Sequence, residues 1–387
     1  MKKIKVLYVC PNSGMGGDSQ SFLDMMRGIQ EKIEPIVLTR KEGPFSQECK
    51  KRGYKCIIHE YTDLSGLFAY PLKRIIKRPW RLKAIRYFVS DLKCIIYVLR
   101  RVKKNNIDLV HSNVSGCTIG MWIARLLKIP HVWHVREALD LHFGLVREMN
   151  RVRKHINKAE ARIAISTAIK EHLNMNDKNT FIINDAVRSP KDASYVPCKE
   201  KYILFTAAGL TNEKESKGAP TAITAFGMSK LHKDGFKLKM VGNADEYTKV
   251  RFLKLAQSYG CEKSIEFVPF QKNIKPFFEK ASAFVMASTF EGLGRTTVEA
   301  MFFGCPVIAS AYSGGTLDIV KNGETGYLFN TVEECSELMR FVCLTDQNKM
   351  ILRAQDFVVN HFTPDVYGPQ ILNVYNQILK KNESYKS

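Results

Sequence analysis

The 387 residues exceed what one ordinary hydrophobic core supports, so two domains are expected from length alone. A hydrophobic fraction of 45% and an aromatic fraction of 10% argue against a disordered chain. No apolar run is long enough to span a membrane, and the ten cysteines form no C-x-x-C pair, which argues against an integral membrane protein and a zinc scaffold.

The net charge of +21 is concentrated towards one end of the chain. Residues 1–190 contain 35 of the 59 Lys and Arg residues but only 17 of the 38 Asp and Glu residues. This distribution predicts an anionic partner for the N-terminal half. By itself it leaves both nucleic acid and an anionic membrane surface open.

Short apolar runs that alternate with helical patterns predict the secondary structure. In the first half we expect a helix at residues 19–30, after a glycine-containing loop, and strands at residues 4–10, 33–40, 108–115 and 131–137. The alternation of strands and helices restarts after a linker near Pro197, with strands at residues 202–209, 236–242, 264–270, 283–288 and 306–310. Further helices are expected at residues 217–228, directly after Gly294, and at about 364–381.

This alternation predicts an α/β protein with two doubly wound Rossmann-like domains facing a central cleft. The N-terminal domain should cover residues 1–190 and the C-terminal domain residues 197–363, with the last helix, at about 364–387, packing back on the first domain. In such sheets ligands bind beyond the carboxyl ends of the strands, where the unusual loops of this sequence fall.

A basic stretch lies within the first domain, at residues 70–106. It carries twelve Lys and Arg residues and one acid, Asp91, interleaved with Trp80 and several aliphatic side chains. This pattern is typical of a helix in an anionic membrane interface, and it lacks the stacking aromatics on strands of a nucleic-acid platform. The alternative is a helix packed on the sheet with a solvated basic face, which we expect for residues 95–102.

The most informative motif is the segment STFEGLGRTTVEAMFFGCPVIAS, residues 288–310. It places Glu291 before a Gly292-Leu293-Gly294 turn and Glu299 inside the following helix. A helix N-terminus attracts phosphate, and glycine lets the backbone approach a ligand closely. The two acids could then accept hydrogen bonds from the hydroxyl groups of two sugars, such as the ribose and the donor sugar of a nucleotide-sugar. The alternative is a surface helix with a solvated Glu299 and a capping Glu291.

The second half resembles the retaining glycosyltransferases of family four, which have the GT-B fold. The resemblance rests on KGAPTAITAF, MVGN, IEFVPF, EGLGRTTVEAMFFGCPVIAS and SGGTLDIVKNGETGYLF, taken in this order and spacing. It implies that Glu291 and Glu299 form the E-x7-E motif of the family. Glu299 would bind the ribose hydroxyls, and Glu291 would act as a catalytic residue against the donor sugar.

The resemblance also assigns the rest of the donor site. The diphosphate would lie on Lys217 and the backbone near Gly209, Gly294 and Thr296, while the nucleoside would contact Gly242, Val268 and Phe270. The sequence departs from the family at Leu210, where an arginine usually follows the glycine of the first strand. Arg295 could replace that cation, or could be an ordinary solvated arginine.

The first half resembles the family more loosely. Gly16 and Gly17 match its first glycine loop, where the backbone approaches the diphosphate and acceptor. Arg136 holds the place of a histidine that contacts the donor sugar in many members, and His134 shares its strand face, so both are catalytic candidates. His111 and His131 are expected to be structural.

We therefore expect a cytoplasmic, peripheral membrane enzyme that transfers a hexose from a nucleotide-sugar, most simply a UDP-sugar, to a lipid-linked saccharide or polysaccharide precursor. The resemblance implies a retaining reaction without metal or other cofactor. Two alternatives stay open: a GT-B protein that binds glycan or nucleotide without catalysis, suggested by Leu210 and Arg136, and a nucleic-acid-binding protein, suggested by the charge.

Overall fold

The computed structural model describes residues 3–62, 79–102, 107–210 and 217–384, so the predicted basic stretch lies partly outside the described residues. The chain forms two compact units. The N-terminal unit comprises residues 1–186 and 364–387, and the C-terminal unit comprises residues 187–363. Each unit contains one parallel β-sheet with helices packed against it, which is the predicted α/β class.

The sheet of the N-terminal unit has seven described strands in the order β3-β2-β1-β4-β5-β6-β7. The strands are β1 (Ile4–Val9), β2 (Ile33–Thr39), β3 (Lys55–Ile58), β4 (Leu109–Ser112), β5 (His131–Val135), β6 (Ala161–Ala164) and β7 (Thr180–Ile182). The described helices of this unit are α1 (Gly17–Ile29), α2 (Pro44–Lys51), α3 (Pro79–Arg101), α4 (Ile119–Leu127), α5 (Leu139–Phe143), α6 (Val146–Ile156), α7 (Thr167–His172) and α14 (Pro364–Ser384).

Two hydrophobic clusters cover this sheet, which explains why its strands read as continuous apolar runs and not as alternating patterns. One cluster combines α1 and the last helix, α14, through Phe22, Met26, Ile371 and Val374. The other contains Ile95 and Val98 from the buried side of α3 and Val102, which directly follows the helix. Residues 95–102 therefore pack against the sheet, as the sequence predicts for this part of the basic stretch.

The sheet of the C-terminal unit has six described strands in the order β10-β9-β8-β11-β12-β13. The strands are β8 (Glu200–Gly209), β9 (Lys237–Asn243), β10 (Ile265–Val268), β11 (Ala281–Met286), β12 (Val307–Ser310) and β13 (Tyr327–Phe329). The helices are α8 (Ala219–Ser229), α9 (Glu246–Gln257), α10 (Lys275–Lys280), α11 (Arg295–Phe302), α12 (Val332–Leu344) and α13 (Asn348–His361).

The order of the strands locates a switch point in each sheet. In the C-terminal unit the chain first builds outward from β8 to β9 and β10, then returns to add β11 on the other side of β8. The strand order thus reverses between β8 and β11, and open α/β sheets bind ligands beyond the carboxyl ends of the strands at such a switch point. In the N-terminal unit β1 and β4 form the corresponding switch point.

Candidate functional site

The loop from β11 to α11 lies at the switch point of the C-terminal sheet. Gly294 ends this loop as the N-cap of α11, with a φ of +92°, which side chains larger than hydrogen rarely adopt. A Cβ on Gly294 would lie 2.4 Å from Oγ1 of Thr316, so the position also lacks space. The first N–H groups of α11 consequently face the loop with no side-chain cap, which is the arrangement that attracts an anion.

Glu291 lies in the same loop with its backbone held on both sides. Its N–H donates to the carbonyl of Ser313 at 3.1 Å, and its carbonyl accepts from the N–H of Gly315 at 2.9 Å. Its Oε1 accepts hydrogen bonds from Nζ of Lys217 at 2.6 Å and from Oγ of Ser288 at 2.7 Å. The carboxylate is thus a fixed, charged acceptor at the switch point of the sheet.

Lys217 reaches Glu291 because the start of α8 is pressed against the end of β11. The next residue, Gly218, caps α8 with a φ of +75°, and a Cβ there would lie 2.0 Å from the carbonyl oxygen of Ala287. A side chain at Gly218 would therefore push α8 away. The glycine thus lets Lys217 reach Glu291 in the loop that leads to the N-terminus of α11. The sequence predicts a phosphate at this N-terminus, called the mouth of α11 below.

Glu299 lies in the second turn of α11 and has a different partner. Nη2 of Arg188 donates to its Oε1 at 2.6 Å. The guanidinium group of Arg188 also lies over the ring of Phe303, 5.5 Å from its centre. Arg188 could not be predicted from the sequence, because no local pattern links residues that are 111 positions apart.

The remaining donor-site candidates lie around the same end of the sheet. Arg295 and Thr296 form the first turn of α11 and are half-buried. Gly209 pairs with Asn243 at the ends of β8 and β9, and Gly242 precedes Asn243. In the next strand Val268 is half-buried at the end of β10.

Phe270 follows this strand and is 55% exposed, with its N–H donating to Oδ1 of Asn243 at 3.2 Å. An exposed aromatic ring at this edge could stack on a flat ring of a ligand. The family arginine position has a different environment. Leu210 is apolar and is buried in the hydrophobic core of the unit, so this position supplies no cation for a phosphate.

Within the described ranges, no group of three or more His, Cys, Asp or Glu side chains could hold a metal ion. Besides Arg295, the site presents four charged side chains, Lys217, Arg188, Glu291 and Glu299. Their two ion pairs are partly exposed, so each contributes little to stability, and a ligand can exchange with them at modest cost.

In the N-terminal unit, the predicted glycine loop leads from β1 into α1. Gly16 is the N-cap of α1 and Gly17 its first residue, so the helix begins two residues earlier than the sequence predicts. Asn12 organises the loop: its amide donates to Oδ1 of Asp18 at 3.1 Å, and its Oδ1 accepts from the N–H of Gly14 at 3.1 Å.

Arg136, by contrast, lies in the interior of the N-terminal unit. Its guanidinium group donates to Asp185, to Oγ of Ser21 at 2.8 Å and to Oη of Tyr367 at 3.0 Å. It also donates to the carbonyl and side-chain oxygens of Asn113 at 2.9 and 3.1 Å. Burial alone lowers the pKa of Arg136, but Asp185 and Tyr367 outweigh it and raise the pKa above its usual value.

His134 is fully buried beside this arginine. Its Nδ1 lies 3.3 Å from Nη2 of Arg136, which can only donate, so the ring proton is assigned to Nε2. Burial, followed by the charge of Arg136 and by His111, lowers the pKa of His134 well below its usual value. A buried and fully engaged arginine with a neutral histidine favours a structural role for both; their catalytic role stays a prediction.

His111 and His131 are also buried, as expected for structural histidines. Nδ1 of His111 lies 2.6 Å from Oη of Tyr375, which in turn donates to Oη of Tyr8 at 3.2 Å. Nε2 of His131 lies 2.9 Å from Oγ of Ser112. With Tyr367 and Tyr375, helix α14 thus contributes two hydroxyl groups to a polar network inside the N-terminal unit.

Two known protein families match this chain, one in each half. The family described as "Glycosyl transferases group 1" matches residues 190–354, and "Glycosyltransferase Family 4" matches residues 15–178. The chain carries two glycosyltransferase family domains. The group 1 domain contains the Lys217–Glu291 pair and the mouth of α11, and the family 4 domain contains the glycine loop and Arg136.

Two curated relatives show how far the sequence similarity extends. An uncharacterized glycosyltransferase from Haemophilus influenzae is 33% identical over 101 residues, which is 26% of this chain and only 28% of that protein. The capsular polysaccharide biosynthesis glycosyltransferase CapH from Staphylococcus aureus is 23% identical over 92% of this chain and 93% of its own length.

A solved structure shows the fold. HepE from Anabaena, crystallised with UDP and glucose, superposes with a TM-score of 0.73 over 96% of this chain and 99% of its own, at 18% identity. Each unit thus has the Rossmann-like architecture of a GT-B glycosyltransferase domain, as the sequence predicts.

Proposed function

We propose that the chain is a retaining glycosyltransferase that moves a hexose from a nucleotide-sugar to a saccharide or lipid-linked acceptor of polysaccharide biosynthesis. The observation that carries this proposal is the arrangement at the mouth of α11. There an uncapped helix N-terminus, the ammonium group of Lys217 and two separately held carboxylates, Glu291 and Glu299, lie at one switch point.

Each group would have a distinct task in holding the donor. The diphosphate would lie against the N–H groups that follow Gly294 and would take Lys217 from its present partner. Glu291 would then accept hydrogen bonds from hydroxyl groups of the sugar, and Glu299 would accept them from the ribose hydroxyl groups. Phe270 and Val268 would lie beside the base. The similarity to HepE, crystallised with UDP and glucose, supports a uridine nucleotide.

In the transfer step the bond between the anomeric carbon and the diphosphate oxygen breaks, and the acceptor hydroxyl bonds to the same face of the sugar. The acceptor proton passes to the departing phosphate oxygen, so neither glutamate has to become covalently bound. Lys217 and the helix N–H groups stabilise the charge that grows on the phosphate. Contacts that strengthen as the sugar becomes cationic, such as those of Glu291, lower the barrier.

We propose that the reaction needs no metal ion, because a cation and the N–H groups of α11 already face the phosphate site. Turnover in the presence of EDTA should equal turnover without it. If EDTA abolishes transfer and added Mg²⁺ or Mn²⁺ restores it, the assignment of Lys217 and α11 as the phosphate site is wrong.

A membrane-facing surface on the N-terminal unit would supply lipid-linked acceptors to an enzyme on the inner face of the cell membrane. Described side chains on two adjoining helices support it: Val89, Leu92 and Ile96 on α3 and Trp122 and Leu126 on α4 are exposed. Exposed apolar groups among basic residues are typical of a membrane-contact face. No helix in the described part of the chain is long and apolar enough to cross a membrane.

A second candidate is a protein that binds nucleotide or glycan without catalysis. The burial of Leu210 favours it, because a cation of the phosphate site is replaced by a core side chain. Transfer from any nucleotide-sugar would exclude this alternative.

The experiment that separates the two is a thermal-shift screen of nucleotide-sugars followed by a turnover assay. A donor that binds the native state raises the melting temperature. The proton coupling at the anomeric carbon of the product then reports whether the configuration of the donor is retained. An inverted product would contradict the retaining mechanism, and binding without turnover would favour the second candidate.

A further inference from the structure

Arg188 forms the second ion pair of the site, and neither family match includes it. The two matches cover residues 15–178 and 190–354, so Arg188 lies in the stretch between them. Its 2.6 Å bond to Oε1 of Glu299 is charge-assisted. The side chain of Glu299 is 17% exposed and that of Arg188 is 36% exposed, so the pair lies at the surface of the site.

The backbone that carries Arg188 is fastened to the far end of the same helix, α11. The N–H of Ser194 donates to the carbonyl of Phe302 at 3.1 Å. The side-chain amide of Gln355, on α13, donates to the carbonyl oxygens of both Ser194 and Phe302 at 2.8 Å. Arg188 therefore approaches Glu299 from a segment that is anchored to the helix carrying Glu299.

This attachment determines which oxygen of Glu299 a ligand meets. Oε1 is engaged by Arg188, and among the described residues no side chain hydrogen-bonds to Oε2. The stacking of the guanidinium group on Phe303 restricts its rotation. A carboxylate held in this way keeps one oxygen ready for a hydroxyl donor, whereas a free glutamate would first have to lose its rotamer freedom.

We propose that Arg188 is a positioning residue that fixes Glu299 to accept the ribose hydroxyls and so makes the site prefer ribonucleotides to deoxyribonucleotides. This inference rests on the proposed function, because it requires that the nucleoside of the donor lies against Glu299. It adds a specificity determinant that the local sequence motif does not contain.

The test compares the dissociation constants of UDP and 2′,3′-dideoxy-UDP by calorimetry for the wild type, Arg188→Gln and Arg353→Gln. Arg353 is an exposed arginine of the same unit, so its variant matches the change in charge. We expect Arg188→Gln to weaken UDP binding about tenfold, the factor given by 1.4 kcal/mol. Binding of the dideoxy nucleotide should be unchanged, and Arg353→Gln should behave like the wild type. Arg188→Lys should recover part of the lost UDP affinity, because it retains the positive charge. Recovery should be incomplete, because lysine lacks the planar guanidinium group.

The outcomes separate this inference from the proposed function. If wild-type protein binds no UDP, the proposed donor and this inference both fail. If it prefers UDP to the dideoxy nucleotide but Arg188→Gln keeps that preference, only the role of Arg188 is overturned. Equal weakening of both nucleotides would also overturn it, since Arg188 would then act on the fold or the diphosphate. An unchanged melting temperature of the free variant excludes a loss of fold.

Discussion

Glu291 and Glu299 are eight positions apart in the chain, yet each is paired with a cation from a different part of the C-terminal unit. Glu291 lies in the loop beside Lys217, where the sugar and the diphosphate would meet. Glu299 lies within α11 beside Arg188, where the ribose would lie. Their environments predict that Glu299 contributes mainly to binding of the donor and Glu291 mainly to the transfer step.

We expect Glu299→Ala chiefly to weaken binding of UDP and Glu291→Ala chiefly to lower turnover. Ribose contacts persist from the bound donor to the transition state and so act on both alike. Contacts to the sugar strengthen as its ring becomes cationic, and their loss lowers kcat. Calorimetry with UDP and initial rates with the full donor measure the two effects. An equal loss of UDP affinity in both variants would contradict this division.

At the residue scale the sequence predicts the local part of the site. The loop with Glu291, the cap at Gly294 and the position of Lys217 all follow from short patterns that determine where a helix begins. The partner of Glu299 could not be predicted, because Arg188 reaches it only through the tertiary fold. The burial of Arg136 escaped prediction for the same reason, since its partners Asp185 and Tyr367 come from distant segments.

Among the elements of the C-terminal unit, α11 depends most directly on one residue. Gly294 combines a positive φ with a lack of space beside Thr316, whereas Gly323 has a φ of +77° with no atom within 4 Å of its Cβ position. Alanine substitutions at the two glycines therefore distinguish the cost of backbone strain from the additional cost of crowding.

We expect Gly323→Ala to lower the free energy of unfolding by about 1 kcal/mol, the cost of a left-handed residue with a side chain. Gly294→Ala should cost clearly more, because Thr316 must also move, and it should weaken UDP binding by displacing the N–H groups of α11. Urea unfolding and calorimetry measure both effects. Equal destabilisation by the two variants would show that crowding at Gly294 is absent.

Element types could be predicted better than element boundaries. Buried parallel strands such as β1 and β12 stand out as apolar runs with a proline close to one end. Helix α1 begins at Gly17, before the first apolar residue of its pattern, because a glycine N-terminus carries no periodic signal. Short elements such as α2 and β3, in a polar stretch, were not predicted at all.

At the scale of the whole molecule, three buried histidines predict a dependence of stability on pH. Burial lowers the pKa of His111 and His134 well below the usual value and that of His131 to about 3. In the unfolded chain they take up protons near pH 6.5. Below that pH the unfolded state binds more protons than the folded state, so the folded state loses stability as pH falls.

Each histidine contributes a slope of about 1.4 kcal/mol per pH unit, so the three together give about 4 kcal/mol per unit below pH 6. All three tryptophans, Trp80, Trp122 and Trp133, belong to the N-terminal unit, as do the histidines. Urea unfolding followed by tryptophan fluorescence at pH 7.0 and 5.5 therefore reports on this unit. Coinciding midpoints at the two pH values would contradict the burial of neutral histidines.

The basic stretch predicts salt-dependent attachment to anionic vesicles. Four cations, Lys73, Arg74, Lys77 and Arg78, lie outside the described residues, and their attraction to an anionic leaflet amounts to roughly 4 kcal/mol at most. Changing all four to Gln together with Trp80→Ser should release the protein from phosphatidylglycerol vesicles in flotation. Donor binding should be unchanged, because the proposed donor groups lie mainly in the C-terminal unit.

High salt should weaken attachment of the parent protein, since it shortens the range of the charge attraction. A matched variant with four exposed Lys residues of the C-terminal unit changed to Gln, Lys233, Lys237, Lys263 and Lys272, tests whether total charge alone is responsible. If the first variant floats as well as the parent at low and high salt, the stretch is an ordinary packed segment.

The return of α14 to the N-terminal unit has a consequence for how the protein is made. The C-terminal unit is one uninterrupted stretch of chain, whereas the core of the N-terminal unit includes Tyr367, Ile371 and Tyr375 from the last helix. Domains usually fold in the order in which the ribosome releases them. Here the N-terminal unit, although most of it is synthesised first, cannot complete its core until α14 is made, and the C-terminal unit can complete its own core before that. Until α14 has left the ribosome, the apolar side of α1 stays uncovered, so during this interval the nascent chain is most exposed to aggregation or chaperone binding.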